Sequence, residues 1–206
     1  MAVPTEIQIC NMAILRVGGQ SISSLTETSR EAQLCNVFYE VCRDQVLRAF
    51  PWNFARKRAD LGLLTATAPT NWGYAYALPP DCINILSVVQ EGVRIPRTNQ
   101  RTPWEYGVLD GSKALFCDYD AVELEYVGLP DVSFFDPQFV NCLAWLLAVE
   151  LAGPLLGKPE LAVTAKQAYF GALSEARAGN LNEQCDQDPE SEFLTVRGIN
   201  STGFFQ

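Results

Sequence analysis

Three groups of residues in this 206-residue chain have types and spacings that chemistry could use. Asp118 with Asp120, and Glu123 with Glu125, are carboxylate pairs two residues apart. On a strand such residues share one face, which suits catalysis by paired carboxylates. Alternating charge is also what the wet face of an exposed strand looks like, and that plainer reading is preferred. Arg94, Arg97 and Arg101, with Asn99 and Gln100, offer a phosphate-contacting edge. Without interleaved aromatics they read more simply as a polar surface loop. The run FPWNFARKR, residues 50–58, does mix aromatics with cations, the ingredients of a stacking platform for single strands.

Much other chemistry is excluded by what the chain lacks. It contains no histidine, so it cannot assemble a Ser-His-Asp or Cys-His site or a zinc site of the usual histidine-containing kinds. Neither a G-x-G-x-x-G nor a G-x-x-x-x-G-K-[ST] phosphate loop is present. Seven cysteines are present with no C-x-x-C, and Cys10, Cys35, Cys42 and Cys142 occupy apolar positions of helical patterns. They read as small buried hydrophobes rather than disulfide partners or metal ligands. Ser29 opens a helix and is a cap, with no base beside it to make it a nucleophile. The expectation is a protein with no catalytic residues, no cofactor and no metal.

The elements that must position these residues follow from pattern. Apolar residues make up 48% and charged residues 19%, ordinary values for a globular chain. No uninterrupted apolar run reaches the ~18 residues needed to span a bilayer, and the N-terminus lacks the features of a signal peptide; no membrane insertion is expected. Thr5 caps a first helix with the stripe Ile7, Cys10, Ile14 and Leu15, stopped at Gly18-Gly19. A T-x-x-E box at Thr28 to Glu31 opens a second helix with the stripe Cys35, Phe38, Tyr39, Cys42, Val46 and Ala49. Leu34, Val37 and Val41 widen its apolar arc, which predicts a helix sandwiched by several neighbours. Pro51 ends it.

From residue 52 to 130 short β-prone runs appear: 83–90, 104–109, 113–117 and 121–128, with Asp110-Gly111 as a hairpin turn. They predict one small antiparallel sheet inserted between helical segments. Asp136-Pro137 starts a very apolar helix, broken at Gly153-Pro154 and Gly157-Lys158-Pro159, and Pro159 starts a last amphipathic helix closed by Gly179. Residues 180–206 are acidic and turn-rich but hold Phe193-Leu194 and Phe204-Phe205, which suggests an arm ordered against a partner. The fold class is α+β, mainly α: a four-helix body from residues 1–51 and 131–179, a β insert at 52–130, and an extended C-terminal arm at 180–206. The position of FPWNFARKR, between helical body and insert, favours a core joint over a nucleic-acid clamp.

The run ICNMAILRVGGQSISSL followed by SREAQLCNVFYEVCRDQVLRAFPWNFARKRADL resembles the tail tubular protein A family of tailed bacteriophages, the head-to-tail adaptors of short-tailed phages. The shared pattern is a short helix with an Arg-x-Gly stop at Arg16 to Gly18, then a Ser-Ser-Leu loop at 23–25. A long helix follows, closing with Leu47-Arg48 and Pro51-Trp52-Asn53-Phe54-Ala55 before a basic step. The distinctive match covers residues 7 to 61, about a quarter of the chain. The resemblance implies a structural virion protein forming a ring, typically a dodecamer, at the head–tail interface. Its partners would be further copies of itself, the portal protein and a tail nozzle protein of the tail tubular protein B type. DNA would cross the bore without specific binding.

Charge is consistent with such a conduit. The net of −9 is unevenly spread: residues 43–61 carry +3 and residues 180–206 carry −4. An acidic bore would repel phosphates, so that DNA slides instead of sticking. Interface hot spots favour aromatic and arginine side chains, which points to Trp52, Phe54, Arg56, Lys57 and Arg58, with Phe193, Phe204 and Phe205 in the arm. Two other functions compete. One is a nucleic-acid-binding accessory protein using residues 43–61; the other is a cell-wall hydrolase working through the carboxylate pairs.

Overall fold

The structure, a computed structural model, describes residues 4–69, 71–90 and 102–183. Four helices, α1 (Glu6–Val17), α2 (Arg30–Ala49), α3 (Pro137–Leu156) and α4 (Pro159–Asn182), flank six strands. The strands are β1 (Arg56–Asp60), β2 (Tyr74–Ala77), β3 (Cys82–Gln90), β4 (Trp104–Leu109), β5 (Ser112–Cys117) and β6 (Val122–Gly128). The mainly helical α+β class is as the sequence implies.

The helix ends follow local chemistry. Thr5 accepts from the Gln8 backbone N–H while the Gln8 side chain accepts from Thr5, a reciprocal capping box, and Gly18 closes α1 in the left-handed conformation. The cap of α2 is Ser29, which accepts from the Ala32 N–H, as its place at the helix start implies; the T-x-x-E box at Thr28 is offset from it by one residue. The acid paired with this loop is Glu27, which accepts from the Ser23 and Ser24 amides and from the Ser29 hydroxyl. Asp136 caps α3 ahead of Pro137, as its sequence predicts. Of the two expected breaks, the helix runs through Gly153-Pro154, with the proline in its last turn, and stops at Gly157 in the left-handed conformation.

Helix α3 is the centre of the bundle, packed by α1, α2 and α4. Phe139, Leu143, Leu147 and Leu151 are fully buried along it, and so are Cys142 and Ala148 on adjoining faces. Such an all-round apolar helix suits a position surrounded by others. By length and composition α3 is also the one helix among the described residues apolar enough to cross a membrane, longer than the interrupted run in the sequence suggests.

Instead of one sheet there are two, each three-stranded and antiparallel, in the orders β1-β6-β3 and β2-β5-β4. Tyr76, Val88, Leu115, Cys117, Val122, Leu124 and Tyr126 form the layer between them. The opposite face of the first sheet meets the bundle through Val127, with Ile83 and Leu86 beside it. Two strands fall outside the predicted runs: β1 reads RKRAD, with no apolar signature, and β2 reads YAYA, apolar but only four residues long. The Asp110-Gly111 turn is where the sequence puts it, with positive φ at both residues and Leu109 facing Ser112. This is the two-residue hairpin geometry whose twist matches that of the strands.

Candidate interface surfaces

The joint at residues 50–58 is built from the end of α2 outwards. Phe50 leaves the helix in an extended conformation ahead of Pro51, and Asn53–Ala55 form one 3-10 turn that delivers the chain into β1. The Trp52 indole N–H donates to the Val46 carbonyl at 2.8 Å, satisfying a helix-end acceptor. Its ring meets Phe50 and Phe139 edge-on at 5.3 Å, and Phe54 bridges Phe139 and Phe135. The end of α4 locks the same corner. Arg177 donates to the Ala49 carbonyl at 2.8 Å, and Asn53 donates from its backbone and side-chain amides to the side-chain and backbone oxygens of the buried Asn180. That bonding explains why α4 runs past Gly179 to Asn182.

The aromatic segment is therefore a core joint. Trp52 is only 1% exposed, so its own ring cannot serve as a surface contact in this fold. Phe54 is half-buried in the same cluster, and Arg56 and Arg58 point outward from β1. Among the segment's cations, Arg43 pairs with Asp44 at 2.9 Å, Lys57 with Asp81 at 2.6 Å, and Arg58 with Glu125 at 3.7 Å. Arg56 has no ion pair among the described residues. Phe193, Phe204 and Phe205, and the loop arginines Arg94, Arg97 and Arg101, lie outside the described residues.

The carboxylate pairs part company. Asp118 and Asp120 occupy the β5–β6 turn and not a strand, and Asp118 accepts from the Gly73 amide at 3.0 Å. Glu123 and Glu125 do share a face of β6, opposite Asp60 and Arg58 of β1. Glu125 is occupied by Arg58 and by the Ser87 hydroxyl at 3.1 Å. Burial pushes the Asp81 carboxyl up, but the Lys57 ammonium and the Tyr126 hydroxyl outweigh it and hold the group below the ordinary aspartate value.

Burial suppresses thiol chemistry at Cys42 and Cys142. Cys10, Cys35, Cys42 and Cys142 are buried free thiols. Burial pushes Cys42 up to about 12 and Cys142 up to about 11, so both stay protonated at neutral pH and are poor nucleophiles. Among the described residues no three metal-ligating side chains come together.

What the bundle leaves uncovered is apolar. Residue 15 of α1, expected in the core stripe, is exposed because Ile9, Ala13 and Val17 take the inward positions. Val37 (63% exposed) and Val41 (54%) lie on the outer face of α2, so that helix is not sandwiched as its pattern predicts. On α4, Val163, Phe170 and Leu181 are each more than half exposed and fall at i, i+7 and i+18, one line along the helix. Its inward face carries Ala165, Tyr169, Ala172, Leu173 and Ala176. The sequence marks this helix only as amphipathic; the outward line, Val163 and Phe170 opposite the buried face, is not part of that reading.

An open groove of about 510 Å³ runs between the outer face of α2 and the start of β3. Val41, Asp44 and Arg48 form one wall, and Asp81, Ile83, Lys113 and Leu129 line the rest. A smaller cavity of about 160 Å³ continues it toward Trp104 and Tyr106. No family model matches this chain, and no curated protein matches it.

Proposed function

We propose that this chain is a structural subunit of a short-tailed phage virion, a head-to-tail adaptor working as one wedge in a ring. The ring sits between the portal and the tail nozzle, and the genome passes through its bore. The observation that carries the reading is the use made of residues 7–61. The stretch that resembles the adaptor family forms α1, α2, the aromatic joint and β1, packed mainly against α3 and β6, and its conspicuous residues hold bundle to sheets. Wedge subunits need that rigid joint, because small errors in angle accumulate around a ring.

Surface chemistry supports the same reading. Ordered apolar stripes on α2 and α4 are the kind of surface that association covers. Glu125 and Asp81 serve ion pairs, and Asp118 serves a turn. A nucleic-acid clamp at 43–61 would have to break the ion pairs of Arg43, Lys57 and Arg58, which weakens that alternative. The acidic total of −9 suits a bore past which DNA slides. The test is the mass of the full chain, alone and mixed with portal rings. Ring-sized species that join the portal are expected; a subunit that stays single and ignores the portal refutes the proposal.

A further inference from the structure

Helix α4 hands the chain on at Glu183, and that point is fixed. Arg177 donates to the Ala49 carbonyl at the end of α2, and the Asn53 side chain donates to the Glu183 carboxylate at 3.4 Å. Residues 184–206 therefore depart from the corner where α2 gives way to β1. The α2–β3 groove opens beside that corner. Arg48, which lines it, is five residues before Asn53 and so within ~19 Å of it, Cα to Cα. The acids of the groove are already matched, Asp44 by Arg43 and Asp81 by Lys57. Its cations are not. Among the described residues Arg48 and Lys113 have no carboxylate in ion-pair range, and Arg48 reaches only the Ile83 carbonyl, at 3.5 Å. Val41 and Leu129 add exposed apolar surface to the same trough. An occupant that suits it brings carboxylates together with apolar side chains.

We infer that the occupant is the chain's own segment 186–194, laid back along α2 from the end of α4. Asp186, Asp188, Glu190 and Glu192 follow one another with no cation among them, and Phe193-Leu194 comes directly after. The acids face Arg48 and Lys113, and the apolar pair covers Val41 and Leu129, so charge sets the register and burial holds it. Reach is sufficient: the ten residues from Glu183 to Phe193 span up to ~33–36 Å. The tether selects the subunit's own groove, because a short linker gives a local concentration on the order of 1 mM, above that of other copies in dilute solution. The contact also gives an apolar pair in an otherwise polar, acidic tail something to cover. It goes beyond the adaptor reading and does not depend on it, since it concerns the single subunit.

The experiment uses the full-length chain with Cys185→Ser, so that the half-buried Cys82 is the thiol that a small maleimide meets first and reports on the groove it lines. Its alkylation rate is followed by peptide mass in that parent and in two arm variants, Phe193→Ser with Leu194→Ser and Glu190→Lys with Glu192→Lys. All these changes lie in the arm, and each variant is expected to keep the circular dichroism of the parent. Cys82 of the parent should react about tenfold more slowly than in either variant, the factor by which a local concentration near 1 mM exceeds a weak dissociation constant of ~0.1 mM. The protection should be equal at about 1 and 100 μM protein, both below that local concentration. Equal rates in parent and variants overturn the inference, since the groove is then open. Protection that vanishes on dilution overturns it too, placing the arm in the groove of another copy. Protection lost in the serine variant but kept in the lysine variant overturns the charge match that assigns the arm to this groove. None of these results bears on the adaptor reading, which the mass of portal mixtures tests separately.

Discussion

At the scale of single residues, the chain directs its most conspicuous groups inward. Trp52 caps a helix-end carbonyl and fills the corner where α2, α3 and the sheets meet. Truncation to alanine removes both the ring and the hydrogen bond. Trp52→Ala is expected to cost about 3–5 kcal/mol, measured by urea unfolding. A loss below ~1 kcal/mol would show that the joint does not depend on it. Asp81 provides a second test. Its folded value lies below the ordinary one, so its contribution is fully present above the ordinary aspartate range and is lost as pH falls through the folded value. Asp81→Asn should therefore lower stability at neutral pH and flatten the acid limb of a stability-against-pH curve; an unchanged acid limb would contradict the Lys57–Asp81–Tyr126 arrangement.

At the scale of elements, what was legible depended on whether a local rule or a distant partner decided the outcome. The caps at Thr5 and Asp136 and the turn at Asp110-Gly111 are set within a few residues, and each occurs where its sequence puts it. Strand β1, RKRAD, was not legible because it is held by pairing to β6 and by Glu125 and Asp81, both far away in sequence. The end of α4 was misread for a related reason: Asn180 finds Asn53, and the extra turn outlasts the glycine signal. Two glycines separate these cases by experiment. Gly171 is inside α4 with open space where a methyl group would sit, so Gly171→Ala should raise stability by about 0.5–1 kcal/mol. Gly111 has φ +79°, and Gly111→Ala should lower stability despite equally open space. Equal thermal shifts for the two would remove the distinction.

At the scale of the whole molecule, the outer apolar lines on α2 and α4 are what the single chain does not explain by itself. The sequence shows the apolar excess, since Val37 and Val41 widen the α2 arc, but it assigns them to neighbours within the chain. Packing settles the matter differently, because α3 is the main neighbour of α1, α2 and α4 and leaves their outer faces uncovered. The site residues divide along the same line. Trp52 and Phe54 were legible as a joint from their place between helix and strand, whereas the α2–β3 groove joins residues too far apart for pattern to reveal. Averaged electron micrographs of the assembled full-length chain test the central claim most directly. The account predicts a closed ring of about twelve head-to-tail copies, each of 22.8 kDa, around an open bore. Isolated subunits, or pairs related by a two-fold axis, would contradict it.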